Sequence, residues 1–375
     1  MGGLISAWRS WRERSQILRD MRRRAADLSE MTRFKVRDQL TFAGSALDLN
    51  DRRRAGEILD NLSVEYPTDL LQCELTLSVM LRLRRFEEAT TMMRNGRKRY
   101  PRDPHYARGL ADVAQALHNY DEAIELYAKM RKRFPGVVDG YTSAAGCLRE
   151  INRLDEAESL VKPAMRQFPD KIAPFLEYAR IAVARKDWEE ALRRWQPIRD
   201  EFKYFGGYVG GAEALTQLGR FDEAEALLEQ ARYRFGTNPG PLIELARVAE
   251  ARGDVAEAVK RWQGIVYRFP LEMPVCCMSA DAFERLHEPA EAEATLRAAI
   301  ERCPAELQPP LQLAKLFHYK RRDFPAAAEA WAHLRKSFPD NEEGYSGGAA
   351  ALQNAGHPEE ADAVREEHRL RFKST

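Results

Sequence analysis

Long apolar stretches are missing from these 375 residues: no run reaches the roughly 18 residues that a helix needs to cross a bilayer. Cysteine is scarce, with five thinly spread residues, which excludes a disulfide-built scaffold. An excess of one charge is also absent, because 59 Lys and Arg face 58 Asp and Glu. A chain so nearly neutral is not one that coats nucleic acid along its length. Disorder is excluded as well, since 44% of the residues are apolar and the charges almost cancel. Catalytic signatures are equally thin. The seven histidines form no HExxH, no nucleophile–base motif occurs, and the glycines around Tyr208 follow no strand, so they make no phosphate loop. Cys276, Cys277 and Cys303 read as core or half-buried thiols rather than metal ligands. The reading at this level is a non-enzymatic protein without cofactor or metal.

What is present is a period. Aromatic–proline pairs recur at Tyr66-Pro67, Tyr100-Pro101, Phe134-Pro135, Phe168-Pro169, Phe269-Pro270 and Phe338-Pro339, with Cys303-Pro304 in the same series. The steps are 34 residues, apart from one of 33 near Lys203 and one of 35 before Pro339. Twelve residues before each mark stands an alanine: Ala55, Ala89, Ala123, Ala157, Ala191, Ala224, Ala258, Ala292, Ala327 and, in the last unit, Ala361. A fixed period of this length means stacked supersecondary units. Within each unit apolar residues return at three- and four-residue intervals on both sides of a central break, predicting two helices. Glutamate precedes most of these alanines and basic residues close the second helix, as the helix dipole prefers. Proline then ends it.

This pattern resembles the tetratricopeptide repeat family. The family sets small residues at positions 8 and 20, a large apolar residue at 24 and proline at 32. Position 8 here holds alanine in every unit except at Leu77, and position 24 holds residues such as Tyr127, Trp195, Trp262 and Trp331. Arg365 departs only in the last unit, where a polar cap is expected. The resemblance implies an all-α, right-handed superhelical solenoid of helix-turn-helix units: ten repeats over residues 36–375, preceded by a segment at 1–35. Pro163 and Pro197 fall inside second helices, so a local change of curvature is expected near 163–211.

By the same resemblance, positions 2, 5, 9, 12 and 13 line the concave groove. Position 9 runs Arg180, Glu213, Arg247, Asp281 and Lys315, with alternating sign. Two readings stand: a ladder of internal pairs that keeps the groove soluble, or a track for an extended peptide or helix of a protein partner. Arg108, Asp112, His318 and Tyr319 are further groove candidates. The family's clamp for the carboxylate terminus of heat-shock chaperones needs Lys at 5 and Asn at 9, and neither occurs here.

Residues 1–35 carry nine basic and four acidic side chains. Trp8, Trp11 and Leu18 recur at helical spacing among Arg12, Arg19 and other arginines. One reading is a helix capping the first repeat. Its rival is a basic amphipathic segment docked on a partner or on an anionic membrane surface. A nucleic-acid role is disfavoured because the basic patch is short. The segment lacks the apolar core of a signal peptide, so the expected location is cytoplasmic, peripheral to a membrane if the segment docks there. Arg outnumbers Lys by 46 to 13, which suggests a GC-rich bacterial genome. The functional expectation is a scaffold or adaptor. The alternatives are an accessory subunit of a bacterial envelope polysaccharide or glycosyltransferase system, and a self-assembling structural protein whose ends or convex faces build an oligomer.

Overall fold

The computed structural model describes residues 34–47, 52–65 and 74–372. They are helical throughout, joined by short turns, with no strand among them. The chain divides into two compact units, 1–151 and 152–375. The first holds a helix at 34–47, then Arg52–Glu65, Glu74–Leu83, Phe86–Arg99, Pro104–Ala116, Tyr120–Arg133 and Asp139–Glu150. The second opens with Leu154–Gln167 and continues as helix pairs. These are Ile172–Ala184 with Trp188–Asp200 (repeat five), Phe205–Gln217 with Phe221–Arg234 (six) and Gly240–Arg252 with Val255–Arg268 (seven). Met273–Arg285 with Pro289–Arg302 (eight), Gln308–Lys315 with Phe324–Ser337 (nine) and Glu342–Asn354 with Pro358–Phe372 (ten) follow.

Local chemistry sets these boundaries. Tyr120–Arg133 carries Asp121 and Glu122 in its first turn and three basic residues in its last. The Phe134 N–H closes that helix on the Met130 carbonyl at 2.7 Å, and Pro135 then prevents another turn. Asp187 and Asp254 cap the second helices of repeats five and seven, accepting the N–H of Glu190 at 3.1 Å and Glu257 at 3.0 Å. Between the helices of each pair whose join is described the chain reverses through one left-handed residue. Glycine takes it at Gly219, Gly253 and Gly356, but His118, Lys186 and His287 adopt it too.

The small positions explain the packing. All ten position-20 alanines are fully buried, and the large residues at 24 fill the space beside them: Tyr127, Val161, Leu228, Leu296 and Trp331 are also sealed from solvent. Arg365, at the same register in repeat ten, remains exposed. Adjacent repeats interlock through Gly-Tyr pairs. The Arg131 guanidinium donates to the Gly140 carbonyl at 2.7 Å, and Arg335 repeats this on Gly344 at 3.2 Å. The Tyr345 hydroxyl donates to the Pro339 carbonyl at 3.0 Å, joining the tyrosine of one repeat to the proline that closed the previous one.

The irregular steps have local structural answers. The extra residue of the 35-residue step is absorbed in a π-helical turn, Leu316–Arg321, at the end of the first helix of repeat nine. The missing residue shortens the second helix of repeat five, which ends at Asp200; Lys203 then turns left-handed, and the Tyr204 N–H reaches back to the Ile198 carbonyl. Pro163 and Pro197 sit inside helices that run on past them to Gln167 and Asp200.

A candidate protein-binding face on the first helices

In the first unit, Arg108 lies 3.4 Å from Asp112 and 3.3 Å from Asp139, which belongs to the next repeat. Asp112 also accepts the Tyr127 hydroxyl at 2.5 Å. Burial pushes the Asp112 carboxyl above its ordinary range, with Asp139 adding to the rise, while the Tyr127 bond and Arg108 oppose it. This corner is ordered and partly closed to solvent.

In the second unit the position-9 residues do not pair with one another. Arg180 turns to Glu177 of its own helix at 2.6 Å, and Arg247 to Glu244 at 2.7 Å. Glu213 is exposed, and its charge helps raise the carboxyl of Glu244, whose main perturbation is burial. Asp281 pairs with Lys320 of the next repeat at 2.6 Å, and Lys315 with Glu343 at 2.7 Å. Further bridges tie Glu250 to Arg285 at 3.2 Å and Glu284 to Arg321 at 2.6 Å. Repeats seven to ten are therefore bridged along this face. Arg180, Glu213 and Arg247 make no ion pair with a neighbouring repeat among the described residues.

His318 is buried, its Nδ1 accepting the Trp331 indole N–H at 3.1 Å. Only Tyr319, stacked on it at 4.4 Å, presents a ring to solvent. His318 is thus part of the support, and burial holds its pKa below the ordinary value. Trp8, Trp11, Arg12 and Arg19 lie outside the described residues.

Sequence reasoning missed the bonds behind the face. The aromatic residue at position 24 reaches position 12 on the partner helix: Trp262 donates to Glu250 at 2.7 Å and Trp331 to His318, while Tyr127, whose shorter bond goes to Asp112, lies 3.2 Å from the Gln115 oxygen. A polar residue twelve or thirteen places before each core aromatic was the available signal. Among the described residues no three His, Cys, Asp or Glu side chains converge to hold a metal ion, and no helix is long and apolar enough to cross a membrane.

Family models described as tetratricopeptide repeat match residues 79–138, 114–173 and 212–272. A curated relative, a TPR repeat-containing protein of Treponema pallidum, is 34% identical over 101 residues, which is 25% of this chain and 41% of the relative. The chain thus spans less than half the length of that protein. Among solved structures, a tetratricopeptide repeat protein from Parabacteroides merdae is 13% identical with a TM-score of 0.43, covering 68% of this chain and 98% of its own. The C-terminal part of a TPR repeat-containing protein from Cytophaga hutchinsonii is 20% identical with a TM-score of 0.39, covering 63% and 97%. Small residues are sealed at positions 8 and 20 with large ones beside them at 24, and over residues 79–173 and 212–272 the chain carries tetratricopeptide repeats.

Proposed function

We propose that this protein is a non-catalytic adaptor that holds a segment of a partner protein along the first-helix face, centred on repeats five to seven. Repeats of this family generally mediate protein–protein interaction. The observation that carries the location is the contrast along the face. Glu250, Asp281, Glu284 and Lys315 are spent on bridges to the next repeat, whereas Arg180, Glu213 and Arg247 are left to outside partners. Both arginines keep half of their side-chain surface exposed, each steered by a single carboxylate of its own helix. A complementary segment carries acidic, basic and acidic groups spaced by about 10 Å, the packing distance of neighbouring helices.

The non-catalytic reading is supported by the state of the nucleophiles. Burial pushes the Cys147 thiol to about 11 and the Cys277 thiol to about 12, so both are protonated and unreactive at neutral pH.

Affinity capture with the full chain and with an Arg180→Glu, Arg247→Glu variant tests the proposal. The partner should be lost from the variant at unchanged helicity. Recovery of the same partner by both chains would remove the face from the mechanism.

A further inference from the structure

On the side of the second helices, clefts open at the joins of repeats six with seven, seven with eight and eight with nine, and their lining differs. Between repeats six and seven the cleft measures about 410 Å³, and beside Leu242, Leu245 and Ile265 it is lined by the charged Glu225, Glu229, Arg232, Glu257, Arg261 and Arg268. Arg261, at position 23, closes its depth. Its guanidinium meets Glu225 at 2.9 Å and Glu257 at 2.8 Å and donates to the Leu245 carbonyl at 2.6 Å. Repeat five does the same with Arg194, which meets Glu158 at 3.1 Å and Glu190 at 2.7 Å, donates to the Tyr178 carbonyl at 2.8 Å and lies 3.6 Å over the Tyr178 ring.

Repeat nine lacks this arginine. Positions 19 and 23, glutamate and arginine in repeats five and seven, are Ala326 and Ala330. Glu293, counterpart of Glu158 and Glu225, is drawn aside by Arg297 at 2.8 Å and Arg321 at 3.0 Å. What remains is a cleft of about 370 Å³ whose apolar lining is Ile300, Pro310, Leu313, Phe317, Ala326 and Ala330, with Arg297, already engaged by Glu293, and His333 also in its wall. Glu301 and Glu329 stand on its rim, both exposed, and neither makes an ion pair among the described residues. An apolar floor beneath two unspent carboxylates calls for a large apolar side chain flanked by cations.

The sequence holds such a segment. Trp8 and Trp11 stand among Arg9, Arg12 and Arg14. We propose that the cleft between repeats eight and nine binds the Trp8–Trp11 stretch of a second copy of this chain, with an indole against Phe317 and Leu313 and the arginines on Glu301 and Glu329. Such a head-to-tail contact closes as a reciprocal dimer or continues into a chain of copies. It uses a different face from the proposed partner groove and stands or falls separately.

Sedimentation of the full chain over about 1–100 µM, the range in which a contact of one anchor and a few charges populates both states, is the test. Self-association should weaken at least about tenfold in a Trp8→Ala, Trp11→Ala variant and in a Glu301→Lys, Glu329→Lys variant. Ala330→Arg, which restores the residue of repeats five and seven, should do likewise. Excess synthetic peptide of residues 1–30 should dissociate the wild-type assembly. Because Glu301 and Glu329 are exposed, their variant keeps its circular dichroism even if Ala330→Arg fails to fold. A monomer throughout the range would overturn the proposal. So would self-association indifferent to the tryptophans and to the rim.

Discussion

The indole N–H of Trp262 donates to Glu250 at 2.7 Å, joining the largest buried side chain of repeat seven to a carboxylate on the first-helix face. The same carboxylate is held from the next repeat by Arg285. A core residue therefore sets the orientation of a face residue, and a neighbouring repeat locks it. Trp331 with His318 and Tyr127 with Asp112 repeat the relationship. The proposed binding face is positioned from behind.

Replacing Trp262 with phenylalanine leaves most of the ring volume and removes the donor. The loss should be about 1–2 kcal/mol, part hydrogen bond and part packing. Glu250→Gln keeps an acceptor for the indole and gives up only the partly exposed Arg285 pair, so it should cost less than about 1 kcal/mol. Urea denaturation of both variants gives the order. A more damaging Glu250→Gln would mean that the ion pair, not the indole bond, holds this position.

Repeat five lacks the second half of the relationship. Its position 12 is Val183, and the buried Trp195 N–H finds no acceptor among the described residues. Val183→Gln copies Gln115 of repeat three and supplies one. A buried donor that gains its bond should raise stability by about 1 kcal/mol. An unchanged or lower unfolding midpoint would show that the glutamine does not reach the indole.

How far these features were legible follows from what each depends on. Ala224 and Trp262 could be placed from spacing alone, because a period of 34 fixes which side chains meet inside a helix pair. The 35-residue step was visible too, but not its form. A one-residue surplus can enter a loop or a helix, and the π turn at Leu316–Arg321 emerges only when Trp331 must reach His318. The charge ladder was legible in its signs and not in its pairings. Arg180 prefers Glu177 three residues away to Glu213 one repeat away, because a pair on one helix is formed by local geometry. The alanines at 326 and 330 carried no signal until Arg194 and Arg261 showed what that position does elsewhere.

Two glycines in the second unit should respond to alanine with opposite sign. At Gly207 an added Cβ would lie 2.5 Å from the Arg199 amide nitrogen, a backbone atom, at the join of repeats five and six. Neither helix can yield without opening that join, so Gly207→Ala should cost about 1–3 kcal/mol. Gly264 is an exposed helical residue whose Cβ would meet nothing within 4 Å. Gly264→Ala should gain about 0.5–1 kcal/mol through reduced backbone entropy in the unfolded chain. Thermal melts of the two variants decide the matter, and a shift of the same sign in both would refute the close approach.

Two carboxylates should shape the acid limb of stability in opposite ways. Burial alone would push Glu158 up, but Lys162, Arg185 and Arg194 around it hold its carboxyl below the ordinary value of 4.5. Its contribution is therefore complete above about pH 4.5 and is lost as pH falls through the lower folded value. Glu158→Gln should cost about 1–3 kcal/mol at neutral pH, since the buried Arg194 loses a charged partner. It should also flatten the decline in stability below pH 4.5. Asp112 has the other sign. Burial raises its carboxyl above 3.8, so its ionised form opposes folding, and that cost is relieved as pH falls through the raised value. Asp112→Asn removes the relief, and its acid limb should be steeper than that of the wild type. Urea midpoints between pH 7 and pH 3 measure both slopes. Parallel curves for the wild type and both variants would show that neither carboxylate titrates differently in the folded and unfolded chains.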